Sequence, residues 1–272
     1  MTDVVRYEVA DRIATLTLNR PEARNALNRE LRAGIVRAVL RADTDDDVDV
    51  VILTGADPAF CAGLDLKELG AGDLDLSAGA PSEPEATSDA TTRRGPLPKV
   101  DTPIIGAING VAVTGGFELA LACDFLVASE RARFADTHAR VGVQPGWGLT
   151  VRLPEAVGLR RAKELSATGN FLDAHTALAW GLVNHVVPHE ELLPRCRALA
   201  ADIVSNDRAG VRRIYRTYDE GALLNGGDAW ELEASAATDW LRSGGGRAED
   251  IEARRSAIAE RGRTQRGHPQ SD

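Results

Sequence analysis

Between residues 4 and 55 the apolar positions follow two different periods in a fixed order, and that order limits the folds open to the chain. Two short β-like runs lie on either side of Asp11-Arg12. In the second, IATLTLN, Ala14, Leu16 and Leu18 fall on one face and Thr15 and Thr17 on the other. Pro21 ends the segment. Asn28 is placed as a helix N-cap, and Leu31, Ile35, Val36, Val39 and Leu40 then recur at helical spacing. An acidic turn, residues 43–49, precedes VDVVILTG, which reads as a buried strand. Strand, helix, strand in this order predicts parallel pairing through a crossover, and so an α/β class.

The 272 residues allow one large domain or two small ones. Hydrophobic residues at 43% give the chain enough apolar surface for a packed core, which excludes a disordered polymer. A net charge of −9 argues against a nucleic-acid partner, because backbone binding needs clustered cations. No apolar run approaches membrane-spanning length, so no membrane partner is expected. The segment MTDVVRYEVADR has no basic region followed by an apolar core and does not read as a secretory signal. Cys61, Cys123 and Cys196 are scattered without metal spacing. They read as reduced thiols in a cytoplasmic compartment, with no metal site.

Further along, residues 70–98 are rich in Gly, Ala, Ser, Pro and acids and read as a long flexible loop. TPIIGAING is the next strand, GGFELALAC a helix starting at its glycines, and DFLVAS another strand. ARFADTHARVGV leads into the Gly/Pro turn QPGWGLT. From Pro154 onward the pattern turns helical, through LPEAVGLRRAKELSATG, DAHTALAWGLV, a run over 190–206 and a further helix to about Tyr218. The division expected is an α/β core over 1–195 and a C-terminal helical region over 196–272 with a charged tail.

Two glycine-containing segments are candidates for chemistry. In AFCAGLDLKEL, residues 59–69, Gly63 can take torsions closed to other residues, so neighbouring amides can face a cavity; an ordinary strand-to-helix turn has the same composition. In INGVAVTGGFELALACDFLVAS, residues 108–129, Gly115-Gly116 precede an apolar helix. A helix start offers unpaired N–H groups suited to an anion or a developing oxyanion. Glu118 in that first turn has two open roles, complementing the helix dipole or acting as an acid or base beside the same amides. The spacing is not a dinucleotide fingerprint, no P-loop lysine follows, and neither GxSxG nor HExxH occurs.

Taken in order, LNRPEARNALN (18–28), AFCAGLDLKEL (59–69), INGVAVTGGFELALACD (108–124), ARFADTHARVGVQPGWGLTVRLP (132–154) and TGNFLDAHTALAWGLVNHVVP (168–188) resemble the enoyl-CoA hydratase/isomerase, or crotonase, superfamily. The likeness spans roughly residues 4–220. It implies a crotonase-like spiral of ββα units followed by C-terminal helices that mediate trimer contacts, with trimers often paired into hexamers. It implies an acyl-CoA thioester substrate, with coenzyme A entering only as part of that substrate and no separate cofactor. The amides of Leu64 and Gly115 match the family's oxyanion hole, where two fixed donors stabilise an enolate-like oxygen. Arg24, Ala26, Ala62, Asp65, Leu66 and Gly116 match positions along the CoA groove and its turn. Arg24 would meet a CoA phosphate, unless it is a solvated surface arginine. Asp65 would fix its turn by backbone hydrogen bonds.

Two departures from the family pattern stand out. The hydratases use two glutamates; one matches Glu118, but the second position is His138, in FADTHARVG. Histidine can move the same proton near neutral pH, or line the pocket without reacting. Trp147, in QPGWGLT, stands where small residues are frequent in the family, and either bounds the acyl site or packs. The expectation is an enoyl-CoA hydratase. The alternatives are another reaction on an acyl-CoA (hydrolysis, decarboxylation or C–C cleavage) and a catalytically silent acyl-CoA-binding protein. His175, His185, His189 and His268 are read as solvated, and Cys61 as a packing residue.

Overall fold

The computed structural model describes residues 3–65, 68 and 95–222, with isolated positions beyond. The loop expected over 70–98 lies outside the described residues except at its end, 95–98, as does Leu66. The chain forms two compact units, residues 1–208 and 209–272. In the second, the helix that begins at Arg208 runs to Gly221.

The first unit is built on two sheets. The larger has six strands in the order β1 (Val5–Ala10), β2 (Ile13–Leu18), β3 (Val50–Gly55), β5 (Ile104–Ile108), β7 (Phe125–Ser129) and β10 (His185–Val187). β1 and β2 form an antiparallel hairpin around Asp11 and Arg12, both with positive φ, as a tight hairpin turn requires. The remaining neighbours are parallel. The smaller sheet runs β4 (Ala59–Cys61), β6 (Val111–Val113), β8 (Arg133–Ala135) and β9 (Leu172–Asp173). β4, β6 and β8 are parallel, and β9 closes the edge antiparallel. Each of β3, β5 and β7 in the large sheet is followed by one short strand in the small sheet, which is the ββ part of the repeat expected from the motifs.

The inner strands β3, β5 and β7 are buried on both sides, which is why their sequences are nearly continuous apolar runs. Val51 and Leu53 face one cluster with Leu31, Ile35 and Val39 of helix α1 (Arg29–Thr44) and Phe117 of helix α2 (Gly115–Leu121). Val50 and Ile52 face the other, with Leu192, Cys196 and Ala200 of the helix over Leu192–Val204. Each such side chain, fully buried, contributes about 1.5–3 kcal/mol of transfer free energy. This second layer corrects the alternation read for β2. Thr15, placed on a polar face, is buried because the helix over Leu192–Val204 covers that side. Its hydroxyl face is therefore interior, while Ala14, Leu16 and Leu18 point into the main core as expected.

Asn28 does cap α1, its side chain accepting the Leu31 N–H at 2.9 Å. Leu40, counted with the apolar stripe, is exposed. The helical pattern from Pro154 divides differently from its reading. A helix over Leu149–Val157 contains Pro154 and stops at Gly158 (φ +82°), and a second runs over Leu159–Thr168. β9 and β10 fall inside the stretch read as helical; they are two and three residues long, too short to show a period.

Candidate active site

The site is assembled where the parallel strands of the small sheet end, the place where an α/β arrangement leaves main-chain groups without ladder partners. β4 and β6 run side by side, Ala59 beside Val111 and Cys61 beside Ala112. The segments that follow them, 62–65 and 114–118, therefore emerge together. Gly63 has φ +84°, and a Cβ there would come within 2.8 Å of the Val113 carbonyl oxygen and 3.5 Å of the Gly115 nitrogen. Gly116 is packed so tightly that a Cβ would collide with the Cys61 carbonyl oxygen. Only glycine lets these two turns approach this closely.

Leu64 is fixed by its neighbours. The Leu27 N–H donates to the Gly63 carbonyl at 2.7 Å, and the Asp65 N–H to the Leu27 carbonyl at 3.3 Å, a one-residue parallel bridge. This pattern uses the amides on either side of Leu64 and leaves its own N–H outside the bridge. Gly115 follows Thr114, whose φ of +52° is rare for a β-branched residue. Thr114 is held by its N–H to the Ala135 carbonyl at 3.1 Å and by a short hydroxyl–hydroxyl contact with Thr137, while its own carbonyl accepts the Phe117 and Glu118 N–H groups. Among the described residues, neither the Leu64 nor the Gly115 N–H donates a hydrogen bond.

Glu118 is 2% exposed, an interior carboxyl group in the first turn of α2. Its Oε1 accepts the Trp147 main-chain N–H at 2.8 Å, and its Oε2 lies 3.4 Å from His138 Nε2. His138 begins the short helix over His138–Val141, just after β8, and is equally buried. Burial alone would lower its pKa. The hydrogen bonds to Asp136 and Glu118, together with their charges, outweigh that and push it up to about 9. The ring thus sits between two carboxyl groups, Asp136 on the Nδ1 side and Glu118 on the Nε2 side. Trp147 is buried, and its indole lies 3.0 Å from where a Gly115 Cβ would be, so the ring forms a wall beside that amide.

Of the positions matched to the family's CoA groove, Arg24 and Ala26 lie on the adjoining loop, 20–28. Arg24 is exposed and has φ +51°; its carbonyl accepts the Ala62 N–H at 3.0 Å. The Ala26 carbonyl accepts from Arg20. Sequence reasoning passed over Arg20 and Asn25. The Arg20 guanidinium also binds the Asp65 carboxylate at 3.1 Å, so Asp65 ties two segments by a side-chain ion pair as well as through its own N–H. Buried Asn25 donates to the Ala56 and Ala59 carbonyls and accepts the Arg20 N–H, clamping the loop to β4. Its cue is the NRPEARNA string, with two polar residues flanking a Pro-initiated turn.

Two remaining readings are settled locally. Cys61 is fully buried and burial pushes its thiol up to about 12, which fits a packing residue. His189 is half-buried and has side-chain partners. It sits between the buried Ser129 hydroxyl and the Asp57 carboxylate, 3.1 Å from each, and pins the end of β7 to the loop after β3.

Comparison with known proteins agrees with this arrangement. A family model described as enoyl-CoA hydratase/isomerase matches residues 8–244. The probable peroxisomal enoyl-CoA hydratase 1 of Arabidopsis thaliana is 41% identical over 83% of this chain and 82% of its own. The crotonyl-CoA hydratase of Syntrophomonas wolfei is 37% identical over 84% and 86%. Among solved structures, an enoyl-CoA hydratase from Mycobacterium smegmatis is 51% identical with a TM-score of 0.71, covering 88% of this chain and 99% of the other. One from Bacillus anthracis is 29% identical with a TM-score of 0.79, covering 94% and 96%. The two-sheet architecture described above is thus the crotonase-type fold. By sequence match and by fold, the chain belongs to the enoyl-CoA hydratase/isomerase family.

Proposed function

We propose that the protein is an enoyl-CoA hydratase, adding water across the double bond of a 2-enoyl-CoA thioester, or removing it from the 3-hydroxyacyl-CoA. The observation that carries this reading is the buried Glu118–His138 pair, a carboxyl group and an imidazole ring 3.4 Å apart, beside two main-chain amides left out of the sheet ladders. The relatives' names point the same way.

The Leu64 and Gly115 N–H groups hold the thioester carbonyl oxygen. As charge moves onto that oxygen they stabilise it without reorganising. The Trp147 N–H fixes Glu118 Oε1, which leaves Oε2 to orient and deprotonate the water. The water oxygen bonds to the β carbon, and the displaced π electrons move through the α carbon to the oxyanion. The His138 Nε2–H protonates the α carbon. Glu118 is then a carboxylic acid and His138 neutral; the proton returns from Oε2 to Nε2 and restores the starting pair. Dehydration starts from that second arrangement, which has the same proton count. Arg24 and the loop over 20–28 border the CoA end of the groove, and Trp147 the acyl end.

His138 in place of the second family glutamate supports a second reading, a different acyl-CoA reaction on the same clamp. A panel of enoyl-, 3-hydroxyacyl- and malonyl-type CoA esters, followed by product mass, separates the two. Gain of one water on the enoyl esters supports hydration. Free thiol, loss of carbon dioxide or C–C cleavage supports the second reading, and tight binding without turnover supports a silent binding protein.

A further inference from the structure

Asp136 lies two residues before His138 in the turn that leaves β8. Its carboxylate is 2% exposed. Oδ1 accepts the His138 main-chain N–H at 3.1 Å and lies 2.6 Å from the ring Nδ1. A single oxygen thus grips both the backbone and the imidazole of the same residue. The Ser166 hydroxyl, from the helix over Leu159–Thr168, donates to the same carboxylate. These contacts hold Asp136 ionised, below the ordinary carboxylate range, although its burial works against them.

The rest of the surroundings offers His138 no other charge partner among the described residues. α2 contributes Glu118, on the Nε2 side. Arg140, on the same short helix as His138, turns its guanidinium to the Thr168 carbonyl at 3.1 Å. Arg152, from the helix over Leu149–Val157, donates to the Leu121 carbonyl. The two ring nitrogens therefore have different fates: Nδ1 is committed to Asp136, and Nε2 faces the reacting side.

We propose that Asp136 is a positioning residue for the reaction: its carboxylate accepts a hydrogen bond from His138 Nδ1–H, which leaves that proton on the ring and favours the charged form, with Nε2–H as the one proton the ring delivers. This rests on the hydratase reading above. Histidine tautomer and orientation follow from the hydrogen bond on the second nitrogen. Without a charged acceptor at Nδ1, a buried imidazole next to a single carboxylate loses most of its reason to stay protonated. The aspartate supplies what a carboxylic acid in this position would not require, because a protonated glutamate carries its own transferable proton in neutral form.

The test is the Asp136→Asn enzyme, in which the side-chain oxygen can still accept the Nδ1–H but the charge is gone. Two measurements are made on wild type, Asp136→Asn and Asp136→Glu. One is a 15N NMR titration of the His138 ring, assigned with His138→Gln. The other is the pH profile of kcat for crotonyl-CoA hydration. The expected result is a wild-type ring charged at pH 7. In Asp136→Asn the ring titrates at least one pH unit lower, the basic limb of the kcat profile moves down with it, and kcat falls about tenfold to a hundredfold with little change in KM. Asp136→Glu recovers part of both. A neutral wild-type ring at pH 7 overturns the proposal even if no variant folds. So does a uniform loss of kcat in Asp136→Asn with the ring titration and the limb unmoved. Failure of the hydratase reading looks different: the wild type hydrates none of the esters, while the ring titration still reports whether Asp136 sets the charge.

Discussion

Glu118 Oε1 takes the main-chain N–H of Trp147 at 2.8 Å, so a helix in the core and a Gly/Pro turn are joined through a carboxylate. Because the donor is backbone, the contact does not depend on which residue occupies position 147. It leaves one carboxylate oxygen structurally committed and the other, 3.4 Å from His138, available.

Glu118→Gln keeps an oxygen for the Trp147 N–H but cannot take a proton from water. We expect kcat for enoyl-CoA hydration to fall by about 10²–10⁴-fold, with acyl-CoA binding retained. Steady-state kinetics and calorimetric titration with a non-reacting acyl-CoA check this. A folded variant with wild-type turnover removes Glu118 from the mechanism.

The charge on His138 also makes stability depend on pH. Its folded pKa is about 9 against an ordinary value of 6.5, so the imidazolium favours the folded state. That contribution is complete below about pH 6.5, declines above it and is gone once the pH has passed 9. Thermal melts between pH 6 and 10 should show Tm falling for the wild type and falling less for His138→Gln. On the acid side the sign reverses: Asp136, held below 3.8, loses its contribution as the pH drops through its lowered pKa.

Gly116→Ala places a methyl group on the Cys61 carbonyl, main-chain atoms of the fully buried strand β4. The expected cost is about 1–3 kcal/mol or more, read from urea unfolding. At Gly146 a Cβ meets nothing within 4 Å, so Gly146→Ala should stay within about 0.5 kcal/mol of wild type.

All three cysteines are buried, and burial pushes Cys61 and Cys196 up to about 12. Native protein at pH 8 should resist iodoacetamide at all three, and unfolding in urea should expose them, as mass spectrometry would show. Alkylation of Cys61 in the native state would indicate a reactive thiol beside the site.

What the chain revealed of its fold follows from length and period. The β1–β2 hairpin and strands β3, β5 and β7 carry their apolar patterns over five residues or more, and Asn28 stands directly before the helical period of α1. β4, β6, β8, β9 and β10 have two or three residues each, and no period fits in so few. Periodicity accordingly missed the second sheet, which came only with the family resemblance, and with it the reason Thr114 and Gly63 adopt their backbone angles. In the site, Glu118 and His138 were marked by motif. Asp136 was not, although it stands two residues from His138, because an aspartate before a turn has an ordinary capping role. Arg20 and Asp65 are 45 positions apart, and the Leu27–Leu64 bridge, with the Ala62–Arg24 and Asn25–Ala59 hydrogen bonds, brings them together.

The left-handed backbone of Thr114 has a consequence for how the protein fails on heating. A β-branched residue stays there only while the β6–β8 pairing and the Thr137 hydroxyl restrain it. Let those two restraints slip, and the residue relaxes to an extended shape that swings the next peptide plane, with the Gly115 nitrogen, out of line. Deactivation then needs only a local opening at the end of a three-residue strand, and precedes any loss of ellipticity from the larger sheet.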